Sequence, residues 1–184
     1  LHGSSAASDV YKRQIIYSMK KGEKIKWYKW RPHMINDKMT LRDACDMVEK
    51  SDPKKIHFLV RFFENPSSRF ALRGAVDLDN HDCIHMMLGK GFKLNDEAFV
   101  IGFTMGSAGA NKLHVAIYKF VSRFLYPKIY SFKKPHLKIF DEAYKMGKES
   151  KAQEIHKFPF EDHMDKPLGK LRKMLGLELN FQAN

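Results

Sequence analysis

Two imidazoles and two carboxylates stand close together in one stretch of this chain. It runs Asn80-His81-Asp82-Cys83-Ile84-His85-Met86-Met87-Leu88-Gly89-Lys90-Gly91 and continues Phe92-Lys93-Leu94-Asn95-Asp96-Glu97. An α-helix advances about 100° per residue. With Asn80 as cap and His81 as its first residue, such a helix sets His81 and His85 on nearly one azimuth, with Asp82 beside them. Cys83 points to about the opposite side and is not counted as a ligand. Gly89-Lys90-Gly91 predicts the end of that helix, because glycine readily takes the left-handed conformation just past a C-terminus. Asn95 or Asp96 can cap the next helix, which puts Glu97 in its first turn. A helical hairpin of this kind lets Glu97 reach across to the histidines. After Glu97 the chain is apolar (Ala98, Phe99, Val100, Ile101, Phe103), so the carboxylate leads a buried helix. A carboxylate there needs a cation or a strong donor beside it.

Two nitrogens and two carboxylate oxygens suit zinc or another first-row divalent ion, whereas calcium would want more oxygens. The candidate metal-ligating and catalytic residues are therefore His81, Asp82, His85 and Glu97. On spacing alone, the same histidines serve equally well as surface or capping side chains.

The elements that must position these groups are helical. Thr40 can cap a helix whose apolar residues Leu41, Ala44, Cys45 and Val48 share a face, with Asp43 in a capping-box position. Asp52-Pro53 predicts an N-cap and first-turn proline for a helix through Ile56, Leu59, Val60 and Phe63, stopped by Asn65-Pro66. Leu113, Ile117, Phe120, Val121 and Phe124 form an apolar stripe ended by Pro127, and Leu137, Phe140 and Tyr144 repeat that logic later. Period-2 alternation is scarce, and no internal repeat or low-complexity linker appears. The expected fold is all-α, a single-domain helical bundle with a metal-binding helical hairpin. Residues 1–20 are expected to be structureless, their opening being Ser/Ala-rich and resembling an appended sequence, and residues 21–180 to form the helical domain.

With 184 residues, 43% hydrophobic, the chain can bury one real core. Two cysteines, Cys45 and Cys83, make no disulfide framework, so a reducing compartment is expected. No apolar run is long enough to span a bilayer, and no signal-peptide pattern opens the sequence. The net charge of +12 implies an anionic partner. Between Lys119 and Phe140, basic residues (Lys119, Arg123, Lys128, Lys133, Lys134, Lys138) interleave with Phe120, Phe124, Tyr126, Tyr130 and Phe132. That mixture suits an anionic membrane interface as well as an ordinary solvated helix face. No zinc-finger spacing, RNP-like motif or basic-region run supports nucleic-acid binding.

His81-Asp82-x-x-His85, eleven residues, then Glu97 resembles the signature of the coenzyme Q biosynthesis protein 4 family. Asp141-Glu142-Ala143-Tyr144-Lys145-Met146-Gly147-Lys148 is similar to that family's segment with a glycine between basic residues. Phe160-Glu161-Asp162-His163-Met164-Asp165-Lys166-Pro167-Leu168-Gly169-Lys170-Leu171-Arg172-Lys173-Met174-Leu175-Gly176 resembles its C-terminal pattern. Phe160 stands where the family usually has Trp, and Cys83-Ile84 replaces a commoner bulky pair. The resemblance runs from about Thr40 to Leu177. It implies a helical protein on the inner membrane surface, on the cytoplasmic face in a bacterium or the matrix face in a mitochondrion. Its partners would be a polyprenylated quinone precursor, other ubiquinone-biosynthesis proteins and, in a homo-oligomer, further copies of itself. The implied activity is ring C1 decarboxylation with hydroxylation, or organisation of the biosynthetic proteins. A bound metal would then meet the ring carboxylate and a neighbouring phenolate oxygen. In that setting Phe99, Phe103, Ile117 and Phe124 could line a groove for the isoprenoid tail. Two alternatives stand beside it: a prenyl-lipid scaffold with a structural metal, and a His-Asp phosphohydrolase using His81-Asp82 with His57 and Asp141.

Overall fold

Thr40 opens the first helix as its hydroxyl suggests: Oγ1 accepts from the Asp43 N–H at 3.1 Å and lies 2.7 Å from the Asp43 carboxylate. Helix α1 (Leu41–Asp46) follows, and buries Leu41 and Ala44. The computed structural model describes residues 24–49 and 57–177. The opening segment 1–20 and the expected helix start at Asp52-Pro53 lie outside them. Six further helices follow: α2 (Phe58–Glu64), α3 (Leu78–Leu88), α4 (Leu94–Ser107), α5 (Lys112–Phe124), α6 (Lys134–Glu149) and α7 (Leu168–Met174). Among the described residues no strand forms, and the all-α expectation holds. Helix α2 stops at Asn65-Pro66 as predicted.

Helix α3 starts earlier than the sequence suggested. Asp77, not Asn80, is its cap: the Asp77 carboxylate accepts from the Asn80 N–H at 2.9 Å and from the Asn80 side-chain amide at 2.8 Å. Both residue types cap well, but the carboxylate only accepts, so Asn80 becomes the donor of the pair. Gly89 ends the helix at φ 59°, in the left-handed region. Helix α4 starts at Leu94 with Lys93 before it and no side-chain cap. Asn95 and Asp96 therefore lie inside the first turn, where Asp96 and Glu97 face the positive end of the helix dipole.

Two apolar clusters share α4. Val100 and Phe103 join Trp30, Leu41, Ile84, Met87, Phe160 and Leu168, while Ala98 and Met105 join Tyr118, Phe132 and Phe140. Helix α6 lies directly on α4 because both carry glycine at the crossing. A Cβ on Gly102 or Gly106 would stand under 3.0 Å from the α6 backbone at Phe140 and Tyr144, and one on Gly147 would do the same at Phe103. Two backbones can meet this closely only where no side chain intervenes.

Helix α5 departs most from the sequence reading. Its core face holds Tyr118, Val121 and Ser122, with the Tyr118 ring stacked on Phe140 at 5.3 Å. Leu113, Phe120 and Phe124, three members of the expected stripe, are 56–66% exposed. The helix is apolar on two sides, and α6 covers only the one that bears Tyr118. Phe103 belongs to the core while Phe124 is exposed, so the expected groove of Phe99, Phe103, Ile117 and Phe124 does not form.

Candidate metal centre

His85 is fully buried on the last turns of α3. Its Nδ1 lies 2.7 Å from the carbonyl oxygen of Gly91. A carbonyl can only accept, so Nδ1 carries the hydrogen and the Nε2 lone pair faces away from the backbone. Phe92 stacks on the ring at 4.5 Å and holds its plane. One turn earlier, the His81 ring stands at 85° to it with centroids 4.7 Å apart. The helical spacing read from the sequence thus does set both imidazoles on one face.

Both Nε2 atoms are aimed at the same carboxylate oxygen. Glu97 Oε2 is 3.5 Å from His85 Nε2 and 3.6 Å from His81 Nε2. Both nitrogens are buried and have no hydrogen-bond partner. At these separations neither makes a good hydrogen bond. They match ligand atoms on a shared ion: tetrahedral zinc with ligands at roughly 2.1 Å spaces them by roughly 3.4 Å. All three ligand atoms lie within 4.8 Å of one another.

Asp82 is outside this set. It shares a helical turn with His81, and its charge is felt at His85 and at the Cys45 thiol, but its carboxylate does not join the three. Nor do His57 and Asp141, the two further residues of the phosphohydrolase alternative. His57 Nδ1 accepts from the Leu59 N–H, and Asp141 is ion-paired with Lys119 at 2.7 Å.

Burial drives the His81 imidazole down to about 4, so it is neutral at physiological pH. Burial also pulls on His85, but the facing Glu97 carboxylate outweighs it and leaves that imidazole raised. Glu97 is pushed up by burial and pulled down harder by the two imidazoles, ending below its ordinary value as a carboxylate. A carboxylate and two imidazole Nε2 atoms, gathered where water is scarce, could hold a cation, which would take the place of any proton that Glu97 favours on His85.

Two supporting groups escaped the sequence reading. Arg172 on α7 donates to the Met86 carbonyl at 2.8 Å and the Met87 carbonyl at 3.1 Å, and pairs with Asp37. It satisfies the last carbonyls of the helix that carries both histidines. Its one sequence signal is a place in the C-terminal segment quoted above. The second group is Glu64, whose Oε1 accepts from the Tyr126 hydroxyl at 2.7 Å. Burial pushes Glu64 up to about 7, opposed by the Tyr126 and Tyr118 hydrogen bonds and aided by the charge of Glu97. No spacing in the sequence joins residues 64, 97 and 126.

No helix among the described residues is long and apolar enough to cross a membrane. Comparison with protein-family models, with curated proteins and with solved structures finds no match to this chain.

Proposed function

We propose that the protein is a metal-dependent catalyst of quinone biosynthesis, similar to the coenzyme Q biosynthesis protein 4 family. In this reading it acts on a polyprenylated hydroxybenzoate-type intermediate. The observation that carries the metal is the pair of buried, unpartnered Nε2 atoms facing one Glu97 oxygen. Zinc is the ion proposed, on the donor set of two imidazoles and one carboxylate. Three protein ligands leave a fourth position, the pattern of catalytic rather than structural zinc. The ion would supply Lewis acidity to the ring carboxylate and a neighbouring phenolate. The chain's own part is to hold the site: Gly91 and Phe92 orient His85, and Arg172 secures the end of its helix. The three ordered sequence resemblances support the substrate class.

Complementation tests this reading. In a host lacking its own family member, the wild-type chain is expected to restore ubiquinone, and Glu97→Ala and His85→Ala are expected to fail at equal protein level. Rescue by the variants would leave organisation of the biosynthetic proteins as the function and remove the catalytic metal.

The same reading seats the protein on an anionic membrane, and the surface of α5 supports it. Phe120 and Phe124 pack together at 5.3 Å on the outside, and Leu113, Leu125 and Ile129 are also exposed. Of the other aromatics of the expected interface, Tyr126 and Phe132 are buried and Tyr130 is half-buried. Lys112 and Lys128 flank the exposed stripe, each adding roughly 1 kcal/mol near an anionic surface. In sedimentation assays the protein is expected to bind anionic vesicles, to weaken as salt rises, and to lose most binding in the Phe120→Ser, Phe124→Ser double variant. Equal binding to neutral and anionic vesicles would remove the electrostatic part.

A further inference from the structure

The two cysteines of the chain lie on different helices, Cys45 on α1 and Cys83 on α3, with their sulfurs 3.7 Å apart. The helices pack against one another, and both thiols are free. Cys83 is 4% exposed, whereas Cys45 is only half-buried. Cys83 also stands midway between His81 and His85, on the opposite side of the helix from the metal face. The pair thus joins the back of the metal helix to the first helix of the bundle. Nothing in the metal reading uses it.

We propose that Cys45 and Cys83 are a site of reversible oxidation, at which a small peroxide closes an intramolecular disulfide between α1 and α3. The Cys45 sulfur attacks one peroxide oxygen, the O–O bond breaks, and one water leaves, so that Cys45 becomes a sulfenic acid. The Cys83 sulfur then attacks the Cys45 sulfur; the S–O bond breaks and the hydroxyl departs as a second water with the Cys83 proton. Two thiols are oxidised by two electrons and one peroxide is reduced to two waters. Closure brings the sulfurs from 3.7 Å to about 2.05 Å. Hydrogen bonding with Cys83, and then burial, hold the Cys45 thiol well above the usual range, so its attack on peroxide is slow.

The test uses the purified full chain at low concentration, treated with hydrogen peroxide and then alkylated in denaturant. The expected result is a monomer lighter by two hydrogens, a fall from two alkylatable thiols to none, and a tryptic peptide linking Cys45 to Cys83. Dithiothreitol should reverse all three changes. In Cys83→Ser the resolving thiol is gone, and Cys45 is expected to accumulate as a sulfenic acid trapped by dimedone. Three results would overturn the proposal: Cys45 driven to sulfinic or sulfonic acid while Cys83 still alkylates, a disulfide linking two chains, or two intact thiols under peroxide that oxidises the unfolded chain.

Discussion

Glu97→Gln is expected to lower zinc affinity by about a hundredfold or more, since losing even an outer partner of a metal ligand costs about ten- to a hundredfold. The amide keeps the shape of the side chain and removes the charge that faces both imidazoles. His85→Ala should be at least as severe, but it also deletes a fully buried ring and its bond to Gly91. Glu97→Gln is therefore the cleaner probe. Asp82→Asn is expected to cost less than Glu97→Gln, because its carboxylate is outside the set of three. Elemental analysis of protein purified without a metal-affinity tag should find about one zinc per wild-type chain. Zinc at a hundred times its dissociation constant should add about 2.7 kcal/mol to wild-type stability and little to the variant's. Full metal content in both Glu97→Ala and His85→Ala would remove the site.

Stability of the metal-free chain should respond to pH through Glu64, and Glu64→Gln should abolish that response. Glu64 rises from an ordinary 4.5 to about 7 on folding, chiefly by burial. Below 4.5 it is protonated in both states and adds no pH dependence. As pH rises toward 7 the unfolded chain loses this proton while the folded chain keeps it, so stability falls through that window and then levels off. Allowing for the partial exposure of the residue, the wild type should lose about 2 kcal/mol relative to Glu64→Gln between pH 5 and pH 8. Glutamine retains an oxygen for the Tyr126 hydroxyl and never ionises. Urea midpoints of both proteins at the two pH values measure the difference. Parallel pH profiles would show that Glu64 is not held protonated.

What lies within a turn or two of the chain follows from the sequence alone. The helical period puts His81 and His85 on one face, Gly89 takes the left-handed turn that ends their helix, and Thr40 caps the first helix. Each rests on geometry between residues four or fewer apart, which the local backbone dictates. The same period placed Asp82 beside the histidines but had no means of ranking it against Glu97. That choice depends on how the 89–93 turn returns α4 toward α3, and the fold aims Glu97 at both imidazoles. Longer reaches were decided by packing. Tyr126 meets Glu64 across 62 positions, and Arg172 closes the end of α3 from 86 positions away. Helix α5 makes the same point. Its sequence carries two apolar faces, and a local pattern cannot say which of them another helix will cover. Glycines at the α4–α6 crossing brought Phe140 against Tyr118 and left Phe120 and Phe124 outside, because only the finished bundle has a limited interior to share among competing faces.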